Sequence, residues 1–258
     1  MENKRLSFSF TAKSPITHGE FSDGVDTGNI MLFRRLPVVG KDGSIYSIPA
    51  VSGNALRGAM RRLLTRELFD ALYFRHDKLY LALANGGALE KTLDQYIRPE
   101  KVRETRALLP ILSAFGSALY TYMLPGVLNM GFAMLQCSEL GTGDKLSSEL
   151  VADVGMTRHL DRTEADTGDA KPMPYVVETV IPGARFDCEF AFLDSATDID
   201  KATVFHGLNL LRSVGGKAAS GFGFIELSER FDDTAYLAYL DGIDDDYREK
   251  VQIFAGEL

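Results

Sequence analysis

Residues 201–227 read KATVFHGLNLLRSVGGKAASGFGFIEL. They carry a helical pattern, a glycine-rich turn from Gly215 to Phe224 and a short apolar run that reads as a strand. The turn follows a helix and precedes a strand, the reverse of a dinucleotide-binding loop, and it lacks the GxxxxGK[ST] spacing of a mononucleotide cradle. A nucleotide-binding enzyme built round this turn is therefore disfavoured. Glycine tolerates positive φ, so a tight structural turn explains the stretch equally well on its own. The helix before it is capped by Asp198 or Asp200 and runs to Gly215.

The same kind of reading extends to both sides. Before the helix, RFDCEFAFLD alternates, with Phe186, Cys188, Phe190 and Phe192 inward. GVLNMGFAMLQC alternates as well, with Leu128, Met130, Phe132 and Met134 on one side. At the N-terminus, Leu6, Phe8, Phe10 and Ala12 share one face of a half-buried strand that ends at Ser14-Pro15. IMLFRRLPVV and IYSIP are extended segments joined by the turn GKDGS. A helix follows in IPAVSGNALRGAMRRLL, residues 48–64. Ser52 or Asn54 caps it, and Leu56, Met60, Leu63 and Leu64 form its apolar stripe. Arg57 and Arg61, four apart, project together from another face. Gly58 is unfavourable in a helix interior by about 1 kcal/mol, which close approach of another backbone would explain.

Residues 68–124 are mostly helical, broken at Gly86-Gly87, with Pro99 and Pro110 each suited to the first turn of a new helix. Residues 158–174 are polar with mixed charge and form an exposed excursion. Strands separated by two main helices give an α+β fold: an antiparallel sheet with helices on one face, and specifically a ferredoxin-like β-α-β-β-α-β core carrying insertions.

Composition sets bounds on function. The 258 residues are 45% hydrophobic and 25% charged, with no apolar run near the ~18 residues of a membrane span and no signal-peptide core in MENKRLSFSF. Cys137 and Cys188 lie in no metal-binding spacing and read as core residues of a protein from a reducing, cytoplasmic compartment. The net charge of −8 is concentrated in the tail: ten acids and three bases lie from Glu226 onward, read here as a solvated acidic face. By contrast, residues 34–66 hold seven bases and one acid, a local patch suited to a polyanion.

Taken together, these motifs resemble the RAMP superfamily of CRISPR-associated proteins. IPAVSGNALRGAMRRLL resembles its IPGSSLKGALR element, and GGKAASGFGF resembles its glycine-rich loop. SPITHGE (14–20), ILSAFGSA (111–118) and RHLDRTEADTGDAKPMPYVVETVIPGARFDCEF (158–190) are similar, in order, to elements of the guide-binding backbone subunits of type III, type IV and type I-D-like effector complexes. The resemblance implies one RRM-like domain over 1–258, with a helical insertion at about 68–124 and a protruding thumb at about 156–178. It implies copies stacked head to tail along a guide RNA, with target nucleic acid and other effector subunits as partners, and no membrane. Such a heterologous interface does not close, so it gives a helical filament.

Under that resemblance, Arg34, Arg35, Ser52, Asn54, Arg57, Arg61, Arg62, Gly215, Gly216, Lys217 and Ser220 are the candidate RNA-binding residues. Arginine forks and glycine-loop amides grip phosphate without reading sequence, as suits a chain whose guide does the reading by base pairing. The bland alternative for each is a solvated surface residue or a structural turn. Cutting is expected to be absent. Backbone subunits that cleave target RNA place an aspartate where this chain has Asn29; Asp23 and Asp26 lie nearby but read equally as ordinary loop residues. No cofactor is implied, and magnesium enters only if the chain cleaves its target. A guide-processing endoribonuclease, with His18 as general acid or base, is the remaining alternative.

Overall fold

The fold is described for residues 5–19, 30–89, 99–120, 122–142, 146–149, 151–156 and 174–258 of a computed structural model. β1 (Leu6–Ala12) buries Phe8, Phe10 and Ala12, the face expected from its alternation. β2 (Ile30–Met31) is followed by the antiparallel hairpin of β3 (Arg35–Val39) and β4 (Ile45–Val51), whose turn places Gly43 at φ +82°. α1 (Gly53–Leu72) then crosses the fold, with Leu56, Met60 and Leu64 buried.

The next region, read from the sequence as a helical insertion, is not helical throughout. It contains α2 (Asp77–Asn85), β5 (Gly87–Leu89), α3 (Pro99–Leu108), α4 (Pro110–Phe115), β6 (Ser117–Tyr120) and β7 (Tyr122–Leu124). Pro99 and Pro110 open their helices as read from the sequence, while β5, β6 and β7 form a small sheet of their own.

β8 (Leu128–Leu135) re-enters the main sheet. β9 (Val151–Met156) pairs antiparallel with β10 (Pro174–Thr179), and β2 joins β10 in parallel. Most of the expected thumb, 157–173, lies outside the described residues. β11 (Arg185–Phe192), α5 (Asp198–Leu210), β12 (Ile225–Leu227), α6 (Thr234–Asp241) and α7 (Asp245–Gly256) complete the chain.

The main sheet runs β12-β1-β11-β8-β4-β3. Its first four strands are antiparallel neighbours. Taken with α1 and α5 in chain order, they lie in the 4-1-3-2 arrangement of a β-α-β-β-α-β ferredoxin-like core. Phe8, Phe10, Phe186, Cys188 and Phe190 pack into one core with Leu56 and Met60 of α1 and Val204 and Leu208 of α5. On the alternate strand positions, Arg5 pairs with Glu189, Lys13 with Glu226 and Arg185 with Asp187, so that face neutralises itself.

Four local expectations are corrected. In β8 the inward set changes phase: Leu128, Ala133 and Leu135 are buried while Phe132 is 36% exposed. Cys188 faces Ala133 and Phe190 faces Met130, so a bulge inserts one residue in β8 and flips the alternation. The cap of α5 is Thr197, whose hydroxyl accepts from the Asp200 amide; Asp200 completes a reciprocal capping box instead of being the cap itself. The same helix stops at Leu210, short of Gly215, because the following backbone pairs sideways: Ile225 N–H donates to the Arg212 carbonyl and Val214 N–H to Gly223. Finally, the acidic tail is not merely a solvated face. It folds into α6 and α7, which bury Tyr236, Val251, Phe254 and Ala255. Both cysteines are buried and unbonded, as expected.

Candidate nucleic-acid interface

The two motifs that stand far apart in sequence meet at the N-terminal end of α1. Ser52 is the cap: it has extended backbone geometry, and its hydroxyl accepts from the Ala55 amide at 3.2 Å. Asn54 lies exposed in the first turn and does not cap. The Ser52 amide in turn donates to His18 Nε2 at 3.1 Å. Burial, reinforced by the nearby charge of Arg34, lowers the His18 pKa, which keeps the imidazole neutral and Nε2 free to accept. His18 thus anchors the start of α1.

The glycine loop is tied to the same segment. Gly216 N–H donates to the Thr17 carbonyl at 2.9 Å, and Gly223 N–H to Pro15 at 2.8 Å. Gly215 and Gly223 both adopt positive φ, and a Cβ on either would overlap a carbonyl oxygen, of Thr17 and Val214 respectively. These two glycines are structurally required. Gly216 and Ser220 are exposed; Lys217 holds a left-handed conformation at φ 58° and opens a short 3-10 turn over Ala218–Ser220.

Between helix and loop lies a groove of about 460 Å3, lined by His18, Asn54, Gly58, Arg62, Arg66 and Gly215 among others. Arg62 and Arg66 are exposed and pair with no described residue. Four residues apart, they stand one above the other, about 6 Å along the helix axis. A Cβ on Gly58 would approach only the Arg62 guanidinium, at 3.4 Å, so no backbone of the described residues makes the expected close approach there. That approach occurs at Gly53, where a Cβ would overlap the carbonyls of Met130 and Gly131. Gly58 instead keeps the groove open beside Arg62.

Arg57 and Arg61 do not join this site. Arg61 is 7% exposed, and its guanidinium donates to the carbonyls of Ala82, Leu83 and Gly116 at 2.6–2.8 Å. Arg57 donates to the Phe115 carbonyl at 2.5 Å. Both close the C-terminal ends of α2 and α4, where helix dipoles favour a cation. Burial, with Arg57 beside it, lowers the Arg61 pKa to about 10.

Arg34 and Arg35 take separate roles. The Arg34 guanidinium lies 5.3 Å from the centre of the Phe132 ring. Arg35 is ion-paired with Glu178 of β10 at 3.2 Å, and Glu178 also accepts from the Phe33 amide at 2.9 Å. Glu178 thereby fastens the 33–35 segment to β10, a role the sequence does not reveal. The sequence does offer a signal for Arg66, the i+4 partner of Arg62, although only Arg62 stands out in the motif itself.

The remaining candidates lie elsewhere. Asp23 and Asp26 are outside the described residues, and so is Asn29. Of the other histidines, His206 joins α5 to α6 and α1, its Nδ1 2.8 Å from Asp233 and its Nε2 2.7 Å from Glu67. His76 caps α2. Among the described residues, no cluster of His, Cys, Asp and Glu is arranged to hold a metal ion, and no helix is long and apolar enough to cross a membrane.

No protein-family model and no curated protein matches the sequence. Among solved structures the chain is similar to one chain of "Type IV-B CRISPR Complex", with a TM-score of 0.64 and 22% identity over 89% of this chain and 93% of that one. At this identity the likeness is one of fold, and it spans nearly the whole length of both chains.

Proposed function

We propose that this chain is a subunit of a CRISPR effector complex that holds a guide RNA by its phosphates. The observation that carries the reading is the meeting of Arg62 and Arg66 with the glycine loop across one groove. Two arginines that pair with no described residue, one helical turn apart, offer forks to successive anionic groups. The loop beside them contributes the exposed backbone of Gly215, which no side chain shields, while the Gly216 amide is committed to the Thr17 carbonyl. Among the described residues no Phe, Tyr or Trp lines the groove, so the grip they offer is indifferent to sequence, which suits a carrier whose specificity comes from base pairing. The likeness in fold to a chain of a type IV-B CRISPR complex supports a place among the subunits of such an effector complex. Copies of the chain stack head to tail along the guide and present it to target nucleic acid.

The test is expression with a cognate repeat array, followed by the absorbance ratio and a denaturing gel of the purified particle. Discrete RNA of uniform length in a multi-subunit particle is the expected result. Monomeric, RNA-free protein that also ignores added guide overturns the reading.

A further inference from the structure

Resting on the preceding reading, we infer that Tyr73 extends the groove as a stacking platform for an unpaired base of the bound strand. Tyr73 ends α1 in the left-handed conformation, φ 58°, which disfavours any residue with a Cβ. The chain places glycine at equivalent helix ends elsewhere: Gly86 after α2 and Gly141 after the 3-10 turn Ser138–Leu140. Tyr73 gains nothing from burial to offset the strain, because it is 82% exposed. A strained residue whose side chain is largely exposed and meets only one cation among the described residues marks a position held for contact with something else.

Its surroundings identify the partner. Tyr73 follows Arg62 by eleven residues and Arg66 by seven, close to three and two helical turns, so it continues their line about 10 Å beyond Arg66. The Arg248 guanidinium sits 5.0 Å from the ring centre and is itself fixed: it donates to the carbonyls of Ala71 and Ile243 and pairs with Asp245. One face of the ring is therefore backed by a rigid cation, which leaves the other to take a flat ligand. Arg75, exposed just beyond, pairs with no described residue; Asp70 is the one acid on the exposed stretch between Arg66 and Tyr73. A row of two arginines, interrupted by Asp70 and ending in a presented aromatic backed by Arg248, fits a single strand, whose phosphates follow the arginines while a base leaves the row to stack. Among the described residues the groove's one aromatic ring is His18, which is held by the Ser52 amide, so Tyr73 supplies a presented ring that the groove lacks.

The chain contains no tryptophan, so Tyr73→Trp installs a single tryptophan at this position, excited to the red of the remaining tyrosines. Single-stranded oligoadenylate RNA and inorganic polyphosphate, an anion without bases, are titrated against it, with a labelled RNA reporting binding by anisotropy. The inference expects RNA to quench the emission and polyphosphate to leave it unchanged. Tyr73→Gly, which suits the left-handed backbone and keeps the fold, is expected to bind RNA about tenfold more weakly, while Tyr73→Phe binds as the wild type. RNA that binds without quenching, or with equal affinity for Tyr73→Gly, overturns the inference and leaves the groove reading intact. Emission that responds only to another effector subunit overturns it in favour of a protein contact. Wild-type protein that binds no RNA overturns both readings.

Discussion

Arg61 Nη1 donates to the carbonyl oxygen of Gly116 at 2.8 Å, joining the middle of α1 to the end of α4 through a buried cation with no carboxylate partner among the described residues. The charge is held by carbonyl dipoles, two of them at the C-terminus of α2. Removing the fork strands three buried acceptors. Arg61→Met is expected to cost about 3 kcal/mol, lowering the melting temperature by roughly 6–12 °C for a chain of this size. Arg62→Met, on the exposed face, should leave the melting temperature within a degree or two. Equal melting of the two variants would contradict the assigned roles.

This pair shows where sequence reading stops. The i,i+4 spacing correctly puts Arg57 and Arg61 on one helix face, but it carries no information about what covers that face. Here α2 and α4 cover it with carbonyl ends, and the open face belongs to Arg62 and Arg66. The apolar rows of β1, β11 and α1 were legible because burial repeats at strand or helix period. The phase change in β8 was not, because a bulge is fixed by pairing with β11 and leaves no mark in the local pattern. The two glycine-rich motifs were readable separately as turn and helix start; their meeting in one groove is a product of the ferredoxin-like topology. The tail's many acids masked the apolar positions through which α6 and α7 dock, Tyr236, Val251 and Phe254.

Arg62 and Arg66 should control RNA affinity, with Arg57 as the contrast. Each arginine that neutralises a phosphate on a single strand contributes about 0.7 to the slope of log affinity against log salt. The double variant Arg62→Ala, Arg66→Ala is expected to lower that slope by about 1.4 and to weaken binding across all sequences alike. Arg57→Ala, whose fork is occupied by the Phe115 carbonyl, should leave the slope unchanged. Fluorescence anisotropy at four or five salt concentrations measures both.

His18 makes the start of α1 sensitive to acid. Its pKa in the folded chain is lowered below 6.5 by burial and then by Arg34, so the unfolded chain binds the proton more readily. Stability from this group is fully present above about pH 6.5 and is lost as pH falls from there to the lowered folded-state value. Protonation also removes the Nε2 lone pair that accepts the Ser52 amide. Thermal melts from pH 7.5 to 5 should fall more steeply for the wild type than for His18→Gln, which has no proton to take up. Parallel pH profiles would show that another group carries the acid sensitivity.

Within the glycine loop, geometry separates positions that look alike in sequence. Gly215 and Gly221 share positive φ, 82° and 85°. A Cβ on Gly221 meets nothing within 4 Å, whereas one on Gly215 runs into the Thr17 carbonyl that accepts the Gly216 amide. Gly221→Ala therefore carries only the left-handed penalty, about 1 kcal/mol. Gly215→Ala adds the clash and the displaced hydrogen bond, about 3 kcal/mol in all. Because Thr17 precedes His18, the Gly215 variant also shifts the anchor of Ser52 and should weaken RNA binding even at temperatures where it remains folded. Urea melts give the stability order, and anisotropy on the folded variants gives the binding order. A Gly215→Ala protein that binds like wild type while melting lower would confine the loop to a structural role and leave the phosphate grip to the arginines alone.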